Sequence, residues 1–247
     1  MTELEVRFVG SGDAFGSGGR FQSCLLLRQG EVSLLVDCGA TTLTALRRQG
    51  VDPASIHAVV ISHLHGDHFG GLPFLLLDGQ FASRRSEPLL VAGPEGTAER
   101  VRQAQEVFFP GSSRIELAYE VRYATLREGE RTTFGPAAVL AVPVVHPSGA
   151  PSYALRVEWD GRVVAYSGDT EWTDNLLSAA AGADLFVCEC YGYDKKVPHH
   201  LDYRTLEQQR ERLGCKRIVL THLHREMLEH RHELDMETAA DGLTIRL

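Results

Sequence analysis

Between Ser62 and His68 the chain reads Ser-His-Leu-His-Gly-Asp-His. Four side chains able to ligate a metal, His63, His65, Asp67 and His68, fall within six residues. Three imidazoles and a carboxylate suit Zn²⁺ and neighbouring transition ions. The plainer alternative is a solvated loop that is His-rich by chance, and four ligand-type residues this close weigh against it. Gly66 and the pair Gly70-Gly71 allow the tight backbone path such a loop needs. Three further candidates lie far along the chain, each at the end of an apolar run. His146 closes AVLAVPVVH, Asp169 follows VVAYSG, and His222 follows RIVLT. A strand terminus is where a rigid scaffold can aim a side chain into a shared site. Taken singly, each reads as a hydrogen-bonded histidine or a turn-forming aspartate. Together with the loop they point to one metal centre.

These residues need short apolar strands to carry them. LEVRFVG (4–10) predicts a first strand, and QSCLLLRQGEVSLLVDCG (22–39) a hairpin around Gln29-Gly30. TTLTALRRQG (41–50) has helical spacing and a closing Gly50. HAVVIS (57–62) reads as a buried strand feeding the His-rich loop. GLPFLLLDGQFAS (71–83) predicts a helix with Pro73 in its first turn. EPLLVAG (87–93) follows as a strand and PEGTAERVRQAQEVF (94–108) as a helix. The middle is strand-rich: RIELAYEV (114–121), ATLREG (124–129), RTTFG (131–135) and AAVLAVPVVH (137–146). SYALRVEWDGRVVAYSGDT (152–170) predicts a hairpin about Asp160-Gly161. NLLSAAAGAD is a short helix, LFVCEC (185–190) a strand, DYRTLEQQRERLG (202–214) a helix, KRIVLTH (216–222) a strand and GLTIRL a last strand. Two strand-rich groups interspersed with helices imply an α/β class, with two sheets face to face and helices outside. No repeat, low-complexity tract or long polar linker breaks the chain, so one domain over residues 1–247 is expected.

At 247 residues, about three-quarters of the unfolded surface can be buried, and a sizeable core needs no staples. Apolar residues make up 43% and charged residues 23%, as in an ordinary soluble domain. No run of apolar residues is long enough for a membrane span. MTELEVRFVG lacks the pattern of a secretory signal, so a cytoplasmic location and no membrane partner are expected. The five cysteines, Cys24, Cys38, Cys188, Cys190 and Cys215, are odd in number and form no CxxC pair, which argues against a disulfide framework. Cys188 and Cys190 share one strand face, with no two further ligands nearby to complete a structural metal site. A net charge of −8 disfavours tight, sequence-independent binding to nucleic acid. It leaves room for a small anionic substrate, because a metal ion can dominate the local field.

SHLHGDHFGG resembles the HxHxDH signature of the metallo-β-lactamase superfamily, and VVHPSG, YSGDT and LTHLH resemble its later metal motifs in the same order. HLHGDHFGGLP, with GSGDAFGSGGRFQSCLLL near the start, is most similar to the ribonuclease Z-like branch, which holds tRNA 3′-processing endonucleases and smaller phosphodiesterases. The resemblance implies a four-layer αββα sandwich and two divalent metal ions, Zn²⁺ first and Mn²⁺ second. His63, His65 and His146 would hold one ion, Asp67, His68 and His222 the other, and Asp169 would bridge them. A water between the ions would attack a phosphodiester in line. Asp67 would orient that water or act as a base.

Two departures bear on the substrate. The branch associates a His in a HEAT-like segment with proton donation, but here that segment reads Val187-Cys188-Glu189-Cys190-Tyr191. His200, within VPHHLDY, matches a second position and is the expected general acid, with His199 the alternative. The long basic arm of many tRNA-processing members is missing too, Lys195-Lys196 being only a short basic pair. A small phosphodiester such as a cyclic nucleotide is therefore expected, with RNA and a tRNA 3′-processing activity as the alternative. A thioesterase, or a binding protein that keeps the fold without catalysis, is the remaining reading.

The weaker signals are local. Gly10 to Gly16 is glycine-rich without a dinucleotide or P-loop pattern. Asp13 there is a candidate to support a ligating His from behind. Ser148 and Ser167 flank metal motifs as substrate contacts or turn caps. His57, His224, His230 and His232 read as non-catalytic. Phe108-Phe109-Pro110 and Leu75-Leu76-Leu77 read as core or as a dimer surface, and the resemblance implies a homodimer.

Overall fold

The computed structural model describes residues 3–247. Strand β1 (Glu5–Gly10) leads through a glycine-rich loop to the hairpin β2 (Cys24–Gln29) and β3 (Val32–Val36). Helix α1 (Thr42–Arg48) connects to β4 (Ala58–Val60), which opens into the His-rich segment. That segment is not simply a loop, since Gly66–Phe69 winds into a short helix, α2, followed by α3 (Leu72–Phe81). Then come β5 (Leu89–Gly93), α4 (Thr97–Phe108) and β6 (Val121–Thr125). The second half holds β7 (Arg131–Phe134), β8 (Ala137–Pro143), β9 (Tyr153–Trp159) and β10 (Arg162–Tyr166). It ends with α5 (Asn175–Ala180), β11 (Leu185–Glu189), α6 (Tyr203–Gln209), β12 (Ile218–Thr221), α7 (Arg225–His230), β13 (Glu237–Thr238) and β14 (Thr244–Arg246).

The strands form two seven-stranded sheets, ordered β14-β1-β2-β3-β4-β5-β6 and β13-β12-β11-β10-β9-β8-β7. Each is half antiparallel and half parallel. β3 to β6 run parallel in one, and β10 to β13 in the other. The alternation of β2 explains the layering. Leu25 and Leu27 face the other sheet, packing in one cluster with Val157, Trp159 and Val187. Cys24 and Leu26 face outward into a cluster with Leu46, Leu72, Leu75 and Val101 of the helices. A third cluster joins Phe186, Cys188 and Leu220 to Leu176, Leu206 and Met227. Strands buried on both faces read as nearly continuous apolar runs. Three apolar layers between four layers of secondary structure give the αββα sandwich.

The strand expected over 114–121 is corrected: Ser112–Arg114 is a 3₁₀ turn and pairing starts only at Val121. Glu106 accepts from the Gly111 and Ser113 amides, Gln80 from the Ala118 amide, and Tyr119 Oη donates to the Leu76 carbonyl. Those side-chain bonds take up backbone groups and fasten the segment to α3 and α4 instead of a ladder. The helix expected over 202–214 ends at Gln209, continues as 3₁₀ turns and stops at Gly214 with φ +63°. Among the described residues, no helix is long and apolar enough to cross a membrane.

Candidate metal centre

The candidate residues meet at one edge of the sandwich. β4 ends into Ser62 and His63, β10 into Asp169, and β12 into His222. These are the carboxyl ends of parallel strands, where open α/β sheets gather their ligands. β8, which runs in the same direction as β10 through two antiparallel pairings, delivers His146 to the same edge. The sheets are stitched together there: the Tyr153 amide donates to the Ser62 carbonyl (3.0 Å) and the His222 amide to the Ser11 carbonyl (3.2 Å). Gly168, at φ +58°, lies so close that a Cβ would stand 2.8 Å from the Tyr153 carbonyl oxygen. Gly39 is equally constrained, its Cβ position lying 2.3 Å from the Asp67 carbonyl oxygen. His222 and Asp37 also have left-handed backbones, at φ +58° and +61°.

All seven predicted ligands converge in two adjoining groups. One is His63, His65 and His146; the other is Asp67, His68, Asp169 and His222; within each, ligand atoms lie within 4.8 Å of one another. His146 Nε2 is 3.0 Å from His65 Nδ1, and His222 Nε2 is 3.2 Å from Asp67 Oδ2. Asp169 faces both groups. Its Oδ1 is 3.3 Å from His68 Nε2, and its Oδ2 is 3.5 Å from His222 Nε2 and 3.9 Å from both His63 Nε2 and His146 Nε2.

The donor set fits divalent cations. His68 Nδ1 donates to Asp37 Oδ2 (2.6 Å), and His146 Nδ1 to the His199 carbonyl (2.9 Å). His63 Nδ1 contacts Ser62 Oγ (3.1 Å), whose hydroxyl donates to Asp37 Oδ2 (2.8 Å). With these nitrogens engaged, the opposite Nε2 lone pairs face the centre, as in imidazoles that ligate metals. His63 Nε2, His68 Nε2 and Asp169 Oδ1 are buried without a hydrogen-bond partner among the described residues. Buried polar atoms left this way cost free energy unless something binds them.

Electrostatics follow the same geometry. Burial raises the Asp67 carboxyl, but His68 and His222 outweigh it and hold it well below the usual carboxylate range. Burial likewise opposes ionisation of Asp169, and His222 and His68 prevail there too. Burial lowers His63, with His68 adding to the effect. Burial also works against a charged His222, yet Asp169 and Asp67 lift it to about 9.

The two histidines proposed as general acids separate clearly. His200 turns inward: its ring lies 5.0 Å from that of His146 and 5.9 Å from that of His222. Its Nδ1 is 3.1 Å from Oε2 of the fully buried Glu189, and its other flank stacks on Tyr191 at 4.6 Å. His199 turns outward, its half-exposed side chain 3.5 Å from Glu171. Asp37, Glu189 and Tyr191 were missed in the sequence. Asp37 ends the apolar run LLVD, the same signal that singled out Asp169.

Asp13 does not support a ligand. Its carboxylate accepts from the Phe15 and Ser17 amides and the Ser17 hydroxyl, so it shapes its own loop. Ser148 donates to the Ala150 carbonyl and Ser167 to the Gly168 carbonyl, both as turn caps. Cys188 and Cys190 are buried in the outer core and join none of the candidate metal groups among the described residues.

A family profile described as Anti-Pycsar protein Apyc1 matches residues 4–242. The chain belongs to the Anti-Pycsar protein Apyc1 family. This Apyc1-family chain is also 28% identical to a Ribonuclease Z of Mycobacterium bovis, over 89% of this chain and 85% of that protein. Its fold matches human tRNase Z, short form, with TM-score 0.79 and 26% identity, covering 98% of each chain. The metallo-β-lactamase-fold protein YhfI of Bacillus subtilis matches with TM-score 0.77 and 23% identity, covering 99% of this chain and 100% of that one. This Apyc1-family member is thus a ribonuclease Z-like hydrolase of the metallo-β-lactamase fold.

Proposed function

We propose that this protein hydrolyses a phosphodiester in a small substrate such as a cyclic nucleotide. His63, His65 and His146 form one cation site, Asp67, His68 and His222 the second, and Asp169 reaches both. Zn²⁺ suits this nitrogen-rich donor set best, with Mn²⁺ next. When bound, such a pair supplies Lewis acidity and an acidified water. Asp67 orients the attacking water or accepts its proton. As the P–O bond breaks, His200 protonates the departing oxygen.

The observation that carries this reading is His200 beside the seven-residue cluster, with a buried carboxylate behind it. An alkoxide leaving group needs such a donor. Two further features support a small substrate. β9 and β10 are joined only by Asp160-Gly161, with no inserted arm, and the chain carries a net charge of −8. Similarity to a Ribonuclease Z favours a second reading, a tRNA 3′-processing endoribonuclease.

A panel of cyclic nucleotides, cyclic dinucleotides, short RNAs and tRNA precursors, assayed with Zn²⁺ or Mn²⁺, separates these readings. Fastest turnover of a cyclic nucleotide is expected. Preference for tRNA precursors would establish the second reading, and no hydrolysis by metal-loaded protein would leave a thioesterase or a binding role.

We also propose a homodimer. Phe74, Phe81, Phe108 and Phe109 line an open apolar groove of about 780 Å³ between α3 and the end of α4. Phe81 is 66% exposed and Phe108 48%. Contiguous apolar surface of this kind marks protein contacts.

A further inference from the structure

We propose that His199 is a positioning residue that acts through its main chain, coupling the orientation of His146 to the placement of His200. The inference rests on the proposed function, with His146 as a metal ligand, which the zinc readout tests, and His200 as the proton donor, which the rate ratio tests.

His199 has φ +65°, a conformation most residues with a side chain avoid. This turn directs the His199 carbonyl at His146 Nδ1, 2.9 Å away. That bond keeps the proton on Nδ1 and turns Nε2 toward His65 and Asp169. The turn is held at both ends. The His199 amide donates to Glu171 Oε2 (3.3 Å), two residues beyond Asp169, and the His200 amide donates to the Val197 carbonyl (3.1 Å). The next residue then projects its imidazole inward onto Glu189. One strained turn thus fixes a ligand through a carbonyl and a proton donor through a side chain. The His199 imidazole faces outward, its Nδ1 3.5 Å from the Glu171 oxygen that also takes the His199 amide.

Three substitutions at this position separate backbone from side chain. Asn tolerates a left-handed backbone and Gly adopts it freely, whereas a β-branched Val is strained there. Zinc per chain is measured after dialysis against graded chelator. Rates are compared for a phosphodiester with an alkyl leaving group and one with nitrophenolate. His199→Asn and His199→Gly are expected to retain two ions and stay within about twofold of wild type in the ratio of the two rates. His199→Val should hold one ion about tenfold more weakly, the lower end for loss of a ligand's supporting partner. It should also lose proportionally more rate on the alkyl substrate.

Equal damage from Asn and Val would assign the role to the imidazole and overturn the proposal, as would a Val variant that matches wild type in both readouts. Should the Val protein not fold, Glu171→Ala read against His199→Asn decides, because the Asn variant loses the imidazole–Glu171 contact alone while Glu171→Ala, a surface change, also frees the His199 amide. It should weaken one ion and shift the rate ratio in the same direction, and no change in either would overturn the proposal. Wild-type protein that binds no metal at all would instead remove the metal assignment itself, a separate outcome.

Discussion

Glu189 and His200 work as a pair because neither is comfortable alone. Burial lowers the charged form of His200, but the Glu189 carboxylate reverses this and raises its pKa above the ordinary histidine value. Burial and then Asp169 push Glu189 up, while its bond to His200 pulls it back down. A raised pKa keeps the proton on His200 to higher pH than on an ordinary histidine, and it is lost as pH rises through that value. Glu189→Gln removes the carboxylate's charge and should move the alkaline limb of the rate profile to lower pH. The shift should appear for an alkyl leaving group and not for nitrophenolate. Equal shifts for both would reject His200 as the donor. His200→Ala should cost about 10²-fold or more on the alkyl substrate. At this scale the candidate ligands that the structure brings together were legible because seven imidazole and carboxylate side chains cluster in sequence or end apolar runs. Glu189 was not, since an acidic residue inside VCECY carries no period or motif that marks it as buried. The choice between His199 and His200 was not legible either, because adjacent residues differ only in which way a turn points them.

The segments that follow strand ends carry His63, His146, Asp169 and His222, and α2 carries Asp67 and His68. Asp169 follows Gly168, whose missing Cβ lets β10 approach Tyr153 and Ser62 closely. Gly168→Ala therefore meets two costs, a left-handed backbone and a clash with a carbonyl oxygen. The backbone part alone is about 1–3 kcal/mol. Gly161→Ala, at φ +82° with open space around it, meets only that first cost. Chemical denaturation should find Gly168→Ala the less stable, with weaker metal retention, and equal stabilities would show that the close approach does not matter. The hairpin around Asp160-Gly161 and most strands were legible from alternation and turn residues. The failure at 114–121 has a clear cause: its apolar and charged residues alternate as in a strand, but Gln80 of α3 takes the Ala118 amide and Glu106 of α4 fixes the turn just before the segment. The turn of helix at Gly66–Phe69 was hidden for another reason. Its residues are poor helix formers apart from their tertiary anchors, such as the Cys38 amide on the His68 carbonyl.

Across the whole molecule, the two sheets meet along one apolar layer and leave polar chemistry at a single edge. The layering follows from strands that are apolar on both faces; the α/β class was readable from periodicity, whereas the four-layer αββα arrangement came only from the family resemblance. The assignment of β14 to the sheet of β1, across nearly the full chain, was not, since no local pattern records a long-range pairing. The aromatic groove belongs to this scale as well. Light scattering should give twice the monomer mass, and Phe108→Asp should reduce it to one chain with the metal site intact. A wild-type monomer would end the dimer proposal.

The central claim is that seven side chains from both halves of the chain hold a pair of cations. Anomalous diffraction at the zinc edge, from crystals grown with Zn²⁺, tests it most directly. Two peaks should stand about 3.5–4 Å apart, with Asp169 between them. A single peak, or peaks away from His63, His146 and His222, would contradict the account.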